Sequence, residues 1–416
     1  MTEIEASTTN SSSFLADFRT MSTFGATPGG GVDRQAATEA DAETRRWFAT
    51  WLESRGYEVR VDAIGNIFGL LTLVPDAPYV LAGSHLDSQP LAGRYDGAYG
   101  VLAAAHAASR AKESLADSDK PVYNLAVVDW FNEEGCRFKP SMMGSAVFTG
   151  KLDLVTALAT RDPHGVSVEE ALDAIGGRGT AARIEVAQYA EIHIEQGREL
   201  EEDNVTIGIV EGTWCAYKYE VVVTGEQSHT GSTRMEDRRD ALLGAAKVVV
   251  AVNELTKQFD AGILHSSVGE FYVEPNSPVV VAREVRLLMD IRARTSSILN
   301  EAFTLLEHAV ADIENDTRVS ISIERSSVWE SSAFDERGVS VTTNAADTLG
   351  MTHKRTLTLA GHDATNIKEQ SPALLIFVPS VDGISHNERE YTSDDDLVAG
   401  VDLFTEVLRR LVCDEN

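Results

Sequence analysis

Five side chains that could bind a divalent cation, His85, Asp96, Glu134, His193 and His386, lie at or just beyond the ends of apolar runs in this chain of 416 residues. Imidazole and carboxylate together suit zinc and other borderline divalent metals, and a carboxylate shared by two ions suits a dinuclear centre. No thiolate is required. A lone histidine at a strand end is more often part of a hydrogen-bonded framework, and a Glu-Glu pair is usually a solvated loop. Five such groups at four strand ends favour a metal site.

Local spacing adds detail. In His85-Leu86-Asp87 the polar side chains are two residues apart, so on an extended strand end they share a face. Asp87 is therefore expected to accept a hydrogen bond from the His85 imidazole and fix its orientation, or else to cap a turn. Asp96 lies in the glycine-flanked string Gly93-Arg94-Tyr95-Asp96-Gly97, which can bring its carboxylate close to two cations. The adjacent carboxylates of Glu133 and Glu134 must diverge, so that one can bind metal while the other faces an activated water as a general base.

These residues need a scaffold. The runs are 79–85, 125–131, 190–197 and 373–379, and they read as buried strands. In open α/β sheets the carboxyl ends of parallel strands form the ligand site. Around them, 40–55 reads as a helix carrying Trp47, Phe48, Trp51 and Leu52, 57–61 as a strand, and 100–111 as a small-residue helix packed close to the sheet. After Gly212 the rhythm becomes strand 217–223, helix 238–259, strands 267–273 and 284–292, a helix to about 315, and strand 319–324. In that second helix Leu299, Phe303, Leu306, Val310 and Ile313 form an amphipathic stripe. This βαββαβ order predicts a ferredoxin-like sandwich. A helix over 339–349 and a closing helix over 394–411 complete the α/β part. Because His386 follows the insertion and the other four candidates precede it, the metal-binding domain must be discontinuous. The expected division is a disordered Ser/Thr-rich tail over 1–13, a catalytic domain over 14–211 and 332–416 with a mostly parallel sheet flanked by helices, and an inserted domain over 212–331.

Composition bounds the class. The chain is 43% hydrophobic, with no apolar run of the roughly 18 residues needed to span a bilayer. Lys and Arg number 36 against 65 Asp and Glu, a net charge of −29, which repels nucleic acid and anionic membranes. Three cysteines without metal-finger or redox spacing argue against a disulfide framework. The start, Met1-Thr2-Glu3-Ile4-Glu5, has no basic or hydrophobic leader segment, so a cytoplasmic location is expected.

Taken in order, the strings Gly83-Ser84-His85-Leu86-Asp87, Gly93-Arg94-Tyr95-Asp96-Gly97, Asn132-Glu133-Glu134-Gly135, His193-Ile194-Glu195-Gln196-Gly197, Gly361-His362-Asp363-Ala364 and Gly383-Ile384-Ser385-His386-Asn387 resemble the amidase, hydantoinase and carbamoylase branch of the metallopeptidase M20 family. That branch includes N-carbamoyl-L-amino acid hydrolases, β-ureidopropionases and allantoate amidohydrolases. The resemblance implies two divalent ions, zinc or else manganese, cobalt or nickel. Asp96 would bridge them, with His85 and His193 on one side and Glu134 and His386 on the other. It also implies Glu133 as general base, with Asp87 beside it in the catalytic set. His229, in Gln227-Ser228-His229-Thr230-Gly231, would be an oxyanion donor from the lid or dimerisation domain, and Gln196, Asn276, Arg292 and His362 would be substrate contacts. A homodimer with hinge motion follows from the same likeness.

The pattern is not complete. Where the family has a second asparagine upstream of the arginine, this chain has Val279; Thr233-Arg234 replaces Thr-Pro after the oxyanion histidine, and Thr358-Leu359 replaces Ser-Gly before Ala360-Gly361-His362-Asp363. The expected function is hydrolysis of the carbamoyl or amide C–N bond of a small N-substituted amino acid, an N-carbamoyl-L-amino acid or N-carbamoyl-β-alanine. Allantoate, or an N-acyl or aryl amide, is the alternative. A non-catalytic binding protein on the same scaffold would be expected to lack a ligand or the base, and neither is missing.

Overall fold

A computed structural model describes the backbone of residues 3–116 and 118–415 and the side chains from Ser11 onward. The chain forms two compact units, one from residues up to Glu211 and from Phe334 onward, the other Gly212–Ala333. The second crossing lies two residues beyond the expected 331/332. Thr213 and Ser332 still pair, Thr213 N–H donating to Ser332 O at 3.1 Å, whereas Phe334 N–H donates to Glu211 O at 3.0 Å.

The larger unit is built on an eight-stranded sheet. Its order is Glu58–Val61, Ile67–Leu71, Asn124–Trp130, Tyr79–His85, Val186–Ile194, Ala373–Val378, Ile207–Thr213 and His353–Thr358. The four strands from Asn124–Trp130 to Ala373–Val378 are mutually parallel, and antiparallel strands flank them on both sides. Both faces of the parallel strands are covered, so these segments are buried at almost every position and read as continuous apolar runs, not as alternation. On one face, Phe48, Tyr99, Leu102, Val401 and Phe404 join the sheet in the main core. On the other, Phe68, Trp130, Tyr189 and Phe377 pack together. Helix Ala98–Ser114 is buried along most of its length because its alanines let it lie close to the sheet.

The expected tail over residues 1–13 is corrected from Glu3 onward: Glu3–Met21 is helical, and Met1 and Thr2 lie outside the described residues. Phe14, Phe18 and Met21 recur at helical spacing and are at most 2% exposed in the main core. That apolar stripe outweighs the Ser/Thr-rich composition ahead of it.

The smaller unit is a four-stranded antiparallel sheet in the order Ser320–Trp329, Cys215–Thr224, Glu284–Ala293, Leu264–Glu274. With helices Ala241–Leu255 and Ser296–Thr317 between strands, the chain order is βαββαβ. Leu299, Leu306, Val310 and Ile313 are buried against the sheet, and Phe303 stacks on Tyr219 at 4.8 Å. The first of these helices begins at Ala241 instead of 238 because the Asp240 side chain caps it, accepting from the N–H groups of Leu242 and Leu243.

Candidate metal centre

His85 ends one central strand and His193 is the penultimate residue of its neighbour. Because Ala82 pairs with Ala190, three residues later the two imidazoles stand side by side, their centroids 6.0 Å apart. Each ring places Nδ1 on a backbone carbonyl, His85 on Asp87 O at 3.0 Å and His193 on Ile194 O at 2.9 Å. A carbonyl can only accept, so Nδ1 carries the proton in both rings and Nε2 carries the lone pair, which in His193 accepts from Gly97 N–H at 3.0 Å. The expected carboxylate partner of His85 is thereby corrected. Asp87 Oδ1 is 3.6 Å from the ring, and its carboxylate instead accepts the backbone N–H groups of Glu133 at 3.1 Å and Glu134 at 3.3 Å.

Asp96 sits between three imidazoles. Its Oδ1 is 3.6 Å from His85 Nε2 and 3.2 Å from His193 Nε2, and its Oδ2 is 3.4 Å from His386 Nε2. His386 Nε2 is also 3.4 Å from Glu134 Oε2. Among the described residues these form two groups, His85 with Asp96 and His193, and Asp96 with Glu134 and His386, each with its ligand atoms within 4.8 Å of one another. Direct charged hydrogen bonds close to about 2.7–2.9 Å. Donors on one tetrahedral ion at 2.0–2.2 Å stand about 3.4 Å apart, the edge of the tetrahedron. The observed 3.2–3.6 Å fits that edge, so this donor set fits divalent cations.

Neighbours fix the donors. Asp96 Oδ2 accepts from Gln196 Nε2 at 2.7 Å and Ser385 Oγ at 2.6 Å, while Glu390 accepts the N–H groups of Tyr95 and Asp96 at 2.9 and 3.1 Å. Gly97 has φ 63°, and a Cβ there would lie 2.3 Å from His85 Nε2, so only glycine fits. Gln89 holds Glu134 through its backbone N–H at 3.2 Å and its side-chain amide at 3.0 Å. Glu133 turns the other way, its Oε2 3.5 Å from His85 Nε2.

Burial and like charge make this cluster a favourable place for a cation. Burial, with Asp363 and Glu134 nearby, pushes Glu133 well above the usual carboxylate range despite His85. Burial and Asp96 push Glu134 up. Asp96 is buried too, yet the three imidazoles around it, His193, His386 and His85, hold it well below the usual range. His386 is raised to about 9, first by Asp96. Buried carboxylates crowded in this way need a cation or a proton.

The other expected site residues divide between the units. Gln196 and His362 belong to the larger one. Gln196 uses its amide on Asp96, and its buried Oε1 has no hydrogen-bond partner among the described residues. His362 is 2% exposed, with Nε2 3.1 Å from Thr358 Oγ1 and its ring 4.7 Å from His193. Burial holds its imidazolium well below the usual range, so the ring is neutral. His229, Asn276 and Arg292 are in the smaller unit and are not brought together there. His229 pairs with Val280, next to the loop that carries Asn276. Arg292 is eight residues beyond Glu284 on strand Glu284–Ala293, roughly 27 Å along an extended chain. It is already engaged by Asp290 at 2.8 Å. His229 is exposed, and its Nδ1 accepts from the N–H groups of Gly231 and Ser232 at 2.9 and 3.1 Å, which leaves Nε2 as the donor.

Sequence reasoning gave no role to Gln89, Ser385 and Glu390, although all three lie in or next to the quoted strings. It also passed over Arg34, fully buried with its Nε donating to Leu86 O at 2.9 Å beneath the His85 strand end. Arg34 lies three residues after the glycine run Gly29-Gly30-Gly31, which is the local signal that marks it.

Comparison with known proteins places this geometry in context. Residues 81–410 match the model of peptidase family M20/M25/M40. An N-carbamoyl-L-amino-acid amidohydrolase of Rhizobium meliloti is 37% identical, over 91% of this chain and 91% of that protein. An allantoate amidohydrolase of Bacillus subtilis is 33% identical, over 93% and 94%. The crystal structure of an amidase of the hydantoinase/carbamoylase family from Burkholderia vietnamiensis superposes with a TM-score of 0.89 at 35% identity, covering 97% of each chain. None of the described helices is long and apolar enough to cross a membrane.

Proposed function

This chain belongs to the peptidase M20 family and is a hydrolase of C–N amide bonds, and on that premise we propose that it hydrolyses the carbamoyl group of a small N-carbamoyl amino acid at a two-ion centre. The observation that carries the reading is the pair of donor groups sharing Asp96. His85, Asp96 and His193 would hold one divalent ion and Asp96, Glu134 and His386 the other. Bound there, the ions would polarise the scissile carbonyl and acidify the attacking water. Zinc, manganese, cobalt and nickel all suit these ligands.

The chain's own groups supply the rest. Glu133, buried beside His85, takes the proton of the attacking water on its carboxylate and delivers it to the leaving nitrogen. Cleavage of a carbamoyl group consumes one water and yields the amino acid, ammonia and carbon dioxide. His229 Nε2–H donates to the developing oxyanion, a contact worth about 10²–10³ in rate in other hydrolases. Arg292 receives the substrate carboxylate through its guanidinium fork. Because His229 lies on the separate two-stranded pair of Ser228–His229 with Val280–Val281, before Glu284, and Arg292 lies near the far end of strand Glu284–Ala293, one small substrate cannot touch both from a single chain. We therefore assign the smaller unit to dimerisation, with His229 serving the site of a second copy. His362 and Gln196 line the pocket, and the partnerless Oε1 of Gln196 suits the NH₂ of a ureido group.

A second reading, allantoate or an N-acyl or aryl amide as substrate, is favoured by Val279, 60% exposed at the position where the family resemblance implies an asparagine. The test is a screen of zinc-, manganese- and cobalt-reconstituted protein against N-carbamoyl amino acids, N-carbamoyl-β-alanine, allantoate and N-acyl amino acids, with ammonia and free amine followed separately. Ammonia from carbamoyl substrates supports the proposal. Free amine from acyl substrates with no ammonia from the others would overturn it.

A further inference from the structure

His386 is the one imidazole of the centre without a ring anchor. Among the described residues nothing hydrogen-bonds its Nδ1, its side chain is 49% exposed, and its φ is 53°. Its orientation therefore depends on the backbone of the loop that follows strand Ala373–Val378. That loop is pinned beside His386 by Ser385 Oγ, which donates to Asp96 Oδ2 at 2.6 Å, and beyond His386 at two more places. Glu390 grips the Asp96 loop, as described. Two residues after His386, the Glu388 carboxylate accepts a hydrogen bond from Thr27 Oγ1.

Thr27 opens the string Thr27-Pro28-Gly29-Gly30-Gly31, which contributes no ligand. The string nevertheless touches both ligand loops. Val32 and Ala92 exchange N–H to O hydrogen bonds at 2.9 Å, tying it to the segment that leads to Asp96. A Cβ at Gly29 would lie 2.3 Å from Glu388 Oε2, and one at Gly31 would lie 2.0 Å from Ala92 O and 3.0 Å from Glu388 Cα. At Gly31 the close atoms are backbone, from both ligand loops, so only glycine fits, whereas at Gly29 a Cβ would push the Glu388 carboxylate away from Thr27.

We propose that the Thr27–Gly31 loop is a positioning element for the second ion, acting through Glu388 to hold His386 at its distance from Asp96 and Glu134. This rests on the two-ion reading above. In the first group both imidazoles have their own anchors, at Asp87 O and Ile194 O, and the Thr27–Glu388 contact touches neither ring; Asp96 is common to both groups.

The experiment titrates metal-free full-length protein with zinc by calorimetry, using wild type, Thr27→Val, Thr27→Ser and Gly29→Ala, and records thermal unfolding of each metal-free protein. Wild type is expected to bind two equivalents. Thr27→Val and Gly29→Ala should keep the first affinity and weaken the second about tenfold or more, the effect typical of groups that orient ligands. Thr27→Ser should restore it, and the metal-free melting temperatures should match. Equal second affinities in wild type and Thr27→Val would overturn this inference alone. So would loss of both affinities together with a fall in melting temperature, which marks a merely structural loop. A wild type that binds a single equivalent would overturn the two-ion reading, and this inference with it.

Discussion

The Asp87 carbonyl oxygen lies 3.0 Å from His85 Nδ1, while the Asp87 carboxylate turns away to accept two backbone N–H groups from Glu133 and Glu134. One residue thus orients a candidate ligand through its main chain and the candidate base through its side chain. The strand end after Tyr79–His85 and the turn after Asn124–Trp130 are locked together by this single residue.

Replacing Asp87 should therefore disturb the Glu133–Glu134 turn and leave the His85 ring in place, because the carbonyl remains. Asp87→Ala is expected to lower kcat or metal affinity about 10–100-fold. Asp87→Asn, which keeps one acceptor oxygen, should lose less. Zinc titration and steady-state kinetics on both variants check this; equal losses would show that the carboxylate does not act through those N–H groups.

Glu133→Gln removes the proton acceptor while preserving shape. Metal binding should be unchanged, since Glu133 belongs to neither donor group. The kcat should fall about 10²–10⁴-fold, the usual contribution of a positioned acid or base. Full activity in this variant removes Glu133 from the base role.

Two of the candidate ligands were legible in the sequence because the strands that carry them are buried on both faces, and a polar residue at the end of a continuous apolar run stands out. His85 and His193 are of that kind. The βαββαβ order was legible for a related reason: the stripe from Leu299 to Ile313 has an unmistakable helical period. The partner of His85 was not, because a two-residue spacing reports which face a side chain is on and says nothing about the carbonyl between. The helix Glu3–Met21 was hidden by its Ser/Thr-rich first half, although Phe14, Phe18 and Met21 carry the signal that anchors it. The supporting roles of Gln89, Ser385 and Glu390 depend on contacts 45 to almost 300 residues apart in the chain, which no local pattern encodes.

The assignment of His229 to the site of a second copy predicts complementation. Glu133→Gln and His229→Ala should each be nearly inactive alone, the latter by about 10²–10³-fold in kcat. In a heterodimer the subunit with intact Glu133 would receive the intact His229 of the other, so mixing the two after subunit exchange should restore one working site. If His229 serves its own chain, no mixture regains activity.

Asp41 offers a pH test at a residue that belongs to neither donor group. It is 1% exposed, its Oδ2 accepts from Ala37 N–H at 2.8 Å, and its Oδ1 has no hydrogen-bond partner among the described residues. Burial raises its pKa to about 7, with Asp129 and Asp87 adding to the effect and Arg45 opposing it. A carboxyl group whose folded pKa lies above its unfolded value favours the protonated form. It costs nothing below the unfolded pKa and destabilises progressively as pH rises to the folded pKa, above which the cost is complete. Between pH 5 and pH 8 the metal-free protein should therefore lose roughly 3 kcal/mol from this group at most. Asp41→Asn, which cannot ionise, should lose correspondingly less over the same interval in urea denaturation. Parallel stability curves for the two proteins would show that Asp41 is ionised throughout and held by Arg45.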